Sequence, residues 1–180
     1  GDLMDRRKVV NFNVLNQVRT RFMDRLRDDN VELHCILGNH DVYYRNTNAI
    51  NSVRELFGDD LILYEEPTVV NFDGLDIALL PWVNKENHDE SIKFIDSAAA
   101  PILIGHLELC GYDVIRGVKY NEGMDAKIFN RFEQVLTGHF HCRQEHGNIY
   151  YLGTQYQITF ADLNETKGFH VYDTDTREIE

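Results

Sequence analysis

The stretch Val31–Val42 reads VELHCILGNHDV. Its first half is apolar and β-prone, so Val31–Leu37 is predicted as a buried opening strand. Its second half, Gly38-Asn39-His40-Asp41, is a sharp glycine turn. The turn delivers an amide oxygen, an imidazole and a carboxylate at the strand's C-terminal end. Crowding such groups onto one loop is costly unless they hold something. Working outward, the same order of residues recurs. Gly1-Asp2 opens the chain, the apolar run Pro101–Ile104 empties into Gly105-His106, and Val135–Thr137 empties into Gly138-His139-Phe140-His141. In open α/β sheets, sites form beyond the C-terminal ends of strands. Four glycine-led polar clusters at strand ends therefore predict one shared site.

Between these clusters the chain reads as an α/β protein, βαβ-like first and β-rich later. From Val9 to Asp28 the residues Val10, Val14, Leu15, Val18, Phe22 and Leu26 follow helical spacing. Asn46–Phe57 is predicted as a second helix, with Gly58 as its C-cap. Leu61–Tyr64 is a short strand, and Asp73-Gly74 between Thr68–Phe72 and Leu75–Trp82 signals a hairpin. Glu90–Ser97 and Met124–Phe132 read as short helices. Ile149–Leu152, Gln155–Phe160 and Phe169–Asp173 read as short strands.

Composition narrows the function classes. With 180 residues and 43% hydrophobic content the chain is one domain or most of one, and not a disordered segment. Three cysteines, Cys35, Cys110 and Cys142, show no paired spacing, which suggests a reducing compartment. No apolar run approaches the roughly 20 residues of a membrane span, and no signal peptide is visible. The net charge of −12 argues against a protein that grips nucleic acid along a basic face.

The chemistry lies in the clusters taken together. Asp2 offers a carboxylate, Asn39 an amide oxygen, and His106, His139 and His141 imidazoles. Mixed oxygen and nitrogen donors suit manganese, zinc or iron better than magnesium or calcium. Two such ions about 3.5–4 Å apart clamp a phosphate ester for in-line attack. His40 is then placed beside the phosphate, where a protonated ring stabilises charge or protonates the leaving oxygen. Asp41 is expected to hold that ring in one tautomer. Arg6 and Arg7, with Lys8, follow the first cluster and are candidates for phosphate-backbone contact. Glu108 and Asp5 are expected near the site or at the surface, Trp82 beneath it. His34, His88, His146 and His170 have no partner motif.

The pattern GD…GNHD…GH…GHFH resembles that of the calcineurin-like metallophosphoesterase superfamily over nearly the whole chain. With Leu3-Met4-Asp5-Arg6-Arg7, Leu80-Pro81-Trp82, Leu107-Glu108 and Tyr151-Leu152-Gly153-Thr154, it resembles more narrowly the DNA double-strand-break-repair nucleases. Within these it is similar to the recombination endonuclease subunits of large tailed phages. The resemblance implies a metallophosphoesterase-type β-sandwich flanked by helices. It implies Asp2 as the carboxylate bridging two metal ions, manganese before zinc, iron or magnesium. Asn39, His106 and His139 resemble the other ligands of one ion, His141 a ligand of the second, and His40 the phosphate-contacting residue. The second ion is also expected to take an Asp and a His from an Asp-x-His motif on a first strand. No Asp-x-His occurs in these 180 residues. The sequence is therefore expected to be N-terminally truncated, with one metal site incomplete and activity impaired, unless Gly1 is a cloning remnant. Capping and ATPase-binding regions are expected beyond residue 180. DNA as substrate, an SMC/ABC-type ATPase partner, a homodimer and a cytoplasmic location (host cytoplasm if phage-encoded) are further implications. The alternatives are a phosphoesterase for small phosphoesters or cyclic nucleotides, and a catalytically impaired scaffold.

Overall fold

In the computed structural model, which describes residues 1–180, the first helical stripe forms as three contiguous segments. Asn11 caps α1 (Phe12–Val18), accepting from the N–H groups of Asn13 and Val14. A π-helical turn, Arg19–Met23, follows, and then α2 (Asp24–Asp28). A π turn adds a residue and rotates what comes after it. Phe22, expected to face inward, is exposed, as is Val14, and Met23 is buried in its place against Met4 and Phe57.

Strand β1 (His34–Ile36) is shorter than the Val31–Leu37 run and pairs in parallel with β2 (Ile62–Tyr64). Helix α3 (Ser52–Phe57) is half of the expected 46–57 helix. Asn51 is the cause: its side chain accepts from the Arg54 N–H as an N-cap, and its backbone bridges to Val42. Gly58 is the C-cap, as expected, and sits at φ −55° in a right-handed conformation.

The hairpin forms as predicted. Strands β3 (Thr68–Phe72) and β4 (Leu75–Leu80) flank Asp73 and Gly74, whose φ values are 49° and 89°. Two positive φ angles are what a type I′ hairpin turn needs. Helix α4 (His88–Ser97) crosses over to β5 (Ile102–His106), parallel to β4. A small hairpin, β6 (Asp113–Ile115) and β7 (Val118–Lys119), stands apart. Then β8 (Gln134–Gly138) joins β5 in parallel, β10 (Ile149–Tyr151) joins β8, and β9 (Gln144–His146) closes the edge antiparallel. The six-stranded order is β3-β4-β5-β8-β10-β9.

Side chains alternate across this sheet, as the pleat requires. Leu75, Ile77 and Leu79 of β4 share one face with Ile102, against Ile36 and Tyr64 of the two-stranded sheet. Ala78, Leu80 and Leu103 take the other face, under Ile95 of α4, Phe129, Phe132 and Phe140. The architecture is a mixed α/β fold with sheet packed on sheet and few helices. No helix is long and apolar enough to cross a membrane.

Three expected elements are not regular. Met124–Phe132 contains only a 3-10 turn, Ala126–Phe129, begun by the Asp125 side chain on the Lys127 N–H. Gln155–Phe160 is not a strand, and Phe169–Asp173 makes only the bridge Tyr172 to Ile179. Asp162 accounts for the loss of the 155–160 strand. Its buried carboxylate gathers the N–H groups of Ile158 and Thr159, diverting donors a ladder would use.

Candidate metal centre and flanking cleft

Adjacent parallel strands bring the histidine clusters together. His106 at the end of β5 is in register with Gly138 at the end of β8. The Trp82 N–H donates to the Leu37 carbonyl at 2.8 Å, tying the loop after β4 to the Gly38 turn. At this edge His106 Nε2 lies 3.2 Å from Asp2 Oδ2 and 3.0 Å from Asn39 Oδ1. His139 Nδ1 lies 3.0 Å from the same Asn39 oxygen. Donor atoms of Asp2, His106 and His139 lie within 4.8 Å of one another. Asp2 and His139 both hold positive φ, 61° and 90°. Such backbone costs about 1–3 kcal/mol per residue and persists where surrounding contacts enforce it.

Gly38 is enforced by the same crowding. A Cβ there would collide with Asp2 Oδ1 and lie 2.5 Å from the Asp2 nitrogen. Asp2 thus reaches the centre only because the facing residue has no side chain. Asp41 locks the approach. It is fully buried, and its oxygens accept from the backbone N–H groups of Asp2 (2.7 Å), Leu3 (2.9 Å) and Gly38 (2.8 Å). The expected contact between Asp41 and the His40 ring is therefore absent. That ring instead uses Nδ1 to donate to the Asp5 carbonyl, 2.5 Å away. The His40 backbone N–H donates to Asp2 Oδ1 at 2.7 Å.

Electrostatics suit ligation. Burial pushes His106 down to about 4 against the pull of Asp2, so its ring is neutral at pH 7. Burial alone would raise the Asp2 carboxyl, but hydrogen bonds from His106 and the His40 N–H hold it well below the usual carboxylate range. For Asp41, burial outweighs its backbone donors and raises the carboxyl. One consequence is measurable without metal. The folded chain disfavours protonated His106, so the unfolded chain takes up the extra proton between about pH 6.5 and 4. The His106 contribution to stability is full above that window and is lost across it, about 3 kcal/mol. Urea midpoints of metal-free protein across this range check it, and His106→Gln is expected to flatten the profile.

The remaining candidates divide. The His141 ring is not part of this group; its backbone carbonyl accepts from Lys167 Nζ at 2.7 Å, and Lys167 also pairs with Asp162 and Glu165. Arg6, Arg7 and His40 line a cavity of about 640 Å³, together with Asp5, Lys8, Val9, Tyr43, Tyr44 and Arg45. A second cavity, about 540 Å³, is lined by Trp82, His88, His106 and Glu108 among others. Trp82 both packs against the His139 ring, 5.4 Å between centroids, and borders that cavity. His34 bonds Tyr64 and Glu32, His146 meets Tyr112 edge-on, and His170 bonds the Leu152 carbonyl. Glu108 lies near the site, as expected: its Oε1 is 3.4 Å from His139 Nε2, a contact that holds the Glu108 carboxyl below its ordinary value. Sequence reasoning passed over Tyr43-Tyr44-Arg45, whose signal was its position one residue after the GNHD turn.

No family model matches the sequence. Over 182 aligned residues, however, the chain is 35% identical to exonuclease subunit 1 of Enterobacteria phage T4, an alignment covering all of this chain and 53% of that protein. The chain is a homologue of these nuclease subunits. An SbcCD nuclease subunit from Staphylococcus epidermidis is 33% identical over 92 residues, 47% of this chain and 25% of the relative. Its counterpart from Staphylococcus saprophyticus is 23% identical over 155 residues, 79% of this chain and 36% of the relative. The resemblance to DNA-repair nucleases carried by the motifs agrees with these relationships. The chain spans about half the length of the phage relative and less of the bacterial ones.

Proposed function

We propose that this chain is the metallophosphoesterase core of a metal-dependent DNA nuclease subunit acting in recombination and repair. The observation that carries the proposal is the convergence of Asp2, Asn39, His106 and His139 next to a His40 cavity rich in arginine. The donor set fits a divalent ion of the manganese type: one carboxylate, one amide oxygen and two imidazoles. Asp2, Asn39, His106 and His139 would hold one ion, and Asp2 with His141 would contribute to a second. Bound ions would supply Lewis-acid polarisation of the phosphoryl oxygens and lower the pKa of water to yield a nucleophile.

The protein's own groups do the rest. With an ion bound, a proton kept on His139 Nε2 and shared with Glu108 would leave the Nδ1 lone pair for ligation. Neutral His106 presents Nε2 in the same direction. His40, anchored through Nδ1 to the Asp5 carbonyl, keeps Nε2 for a phosphate oxygen or the leaving oxygen. Arg6 and Arg7 steer and hold the phosphate backbone.

The proposal extends to an SMC/ABC-type ATPase partner, a homodimer, a cytoplasmic site of action, and capping and ATPase-binding regions outside these residues. It includes reduced turnover for the 180-residue chain alone, since the second ion also calls for an Asp-x-His motif. The test compares this chain with a version extended through such a strand, with manganese and the ATPase, on linear DNA and on a small chromogenic phosphodiester. Manganese-dependent DNA cleavage, stronger in the extended form, is expected. Hydrolysis of the small ester with none of DNA would overturn the nuclease reading, and equal turnover by both forms would overturn the impairment.

A further inference from the structure

The cavity beside His40 is where the chain's charge inverts. The sequence carries −12, yet this wall brings together Arg6, Arg7, Lys8 and Arg45 against one carboxylate, Asp5. Asp5 neutralises little, because its side chain is 87% exposed and meets Arg6 only at 3.8 Å. The Arg7 Nη1 atom is buried without a hydrogen-bond partner. Burial and the neighbouring Arg45 both depress the Arg7 guanidinium. Crowded guanidinium groups with an unmet donor call for a bound anion, and phosphate matches their planar fork.

Phosphate does not explain the other half of the wall. Tyr43 and Tyr44 meet edge to face, with ring centroids 4.7 Å apart and planes at 76°. Lys8 Nζ covers Tyr43 at 4.8 Å from its centroid, while Tyr44 remains 50% exposed. The Tyr43 N–H donates to the Ile50 carbonyl at 2.8 Å, which fixes the pair on the turn that carries His40. An exposed aromatic ring beside a phosphate-binding group matches a nucleotide, the base stacking while the guanidinium groups hold its phosphate. Bases inside a duplex are covered on both faces by their neighbours, whereas an unpaired base is free to lie on Tyr44. At about 640 Å³ the cavity falls within the size range of small-ligand sites.

We propose that this cavity is a subsite for one unpaired nucleotide of a DNA strand, with its phosphate on Arg7 and Arg45 and its base on Tyr44. The subsite rests on the nuclease reading for its place beside the reacting phosphodiester, and it directs the chain toward single strands and frayed ends. Binding is separable from hydrolysis. Fluorescence anisotropy in EDTA compares a labelled oligothymidylate with a blunt duplex of two separate strands. Tyr44→Ala is expected to weaken single-strand binding about tenfold and leave duplex binding within about twofold. Tyr44→Phe, which keeps the ring, is expected to bind like the unaltered protein. Arg45→Gln is expected to weaken both ligands and flatten the salt dependence. Unchanged single-strand affinity in Tyr44→Ala, an equal loss on both ligands, or a Tyr44→Phe as weak as alanine would overturn the subsite. The two readings fail separately. Manganese-dependent cleavage with Tyr44-independent binding sinks only the subsite. Tyr44-dependent binding without any cleavage by the extended, metal-loaded protein sinks only the nuclease.

Discussion

Replacing His40 with alanine is expected to slow DNA hydrolysis about 10²–10⁴-fold while metal affinity stays the same. The separation follows from how His40 is built into its turn. Its backbone N–H donates to Asp2 Oδ1 at 2.7 Å, and alanine keeps that donor, so the Asp2 carboxylate stays in place. Only the ring is lost. It hangs from the Asp5 carbonyl through Nδ1 and lines the arginine-rich cavity, which leaves Nε2 for the substrate. A ring that stabilises charge or donates a proton in the transition state lowers kcat when removed, whereas one that only holds the bound phosphate raises KM. Single-turnover rates, steady-state kcat and KM, and manganese titration calorimetry on the same preparation decide the matter. Activity within about threefold of the parent, or metal affinity falling in step with activity, would remove His40 from the chemistry.

How much of this was legible in the sequence depended on how local each cause was. Asn39, His106 and His139 were legible because a glycine-led polar cluster after an apolar run is itself the structural device. Parallel strands in register then bring the clusters to one edge. The β3–β4 hairpin was legible because Asp73-Gly74 specifies its own turn. What escaped was decided by partners distant in sequence or by competition within a turn. The π segment at Arg19–Met23 exchanged Phe22 for Met23, and nothing in a 3.6-residue period announces that extra residue. Asn51 diverted the start of α3, and Asp162 kept 158–160 from pairing, each by capturing backbone donors with a side chain. Glu108 reaches His139 from the neighbouring strand's loop, a contact 31 residues apart that no local pattern encodes.

Asp41 is the sharpest case, since adjacency suggested the wrong partner for it. Next to His40 in sequence, it turns away and binds three backbone N–H groups drawn from two separate segments. Asp41→Ala would leave those donors buried and unpaired, each worth about 1–3 kcal/mol. A net loss of about 3–5 kcal/mol is expected, which in a domain of this size lowers Tm by roughly 10 °C. Metal affinity is expected to fall as well, about 10–100-fold, the range for residues that orient ligands without touching the ion. The reason is geometric. One oxygen, Asp41 Oδ2, holds both the Asp2 and the Gly38 N–H groups, and so keeps the Asp2 carboxylate over the glycine that makes room for it. Asp41→Asn is expected to be milder, because its amide oxygen keeps part of the set while its NH₂ group opposes the rest. Thermal melts without metal and manganese calorimetry separate this brace from the role adjacency suggested. If Asp41→Asn lowered kcat alone, with Tm and metal affinity intact, Asp41 would act through the His40 ring after all and the brace would be incidental.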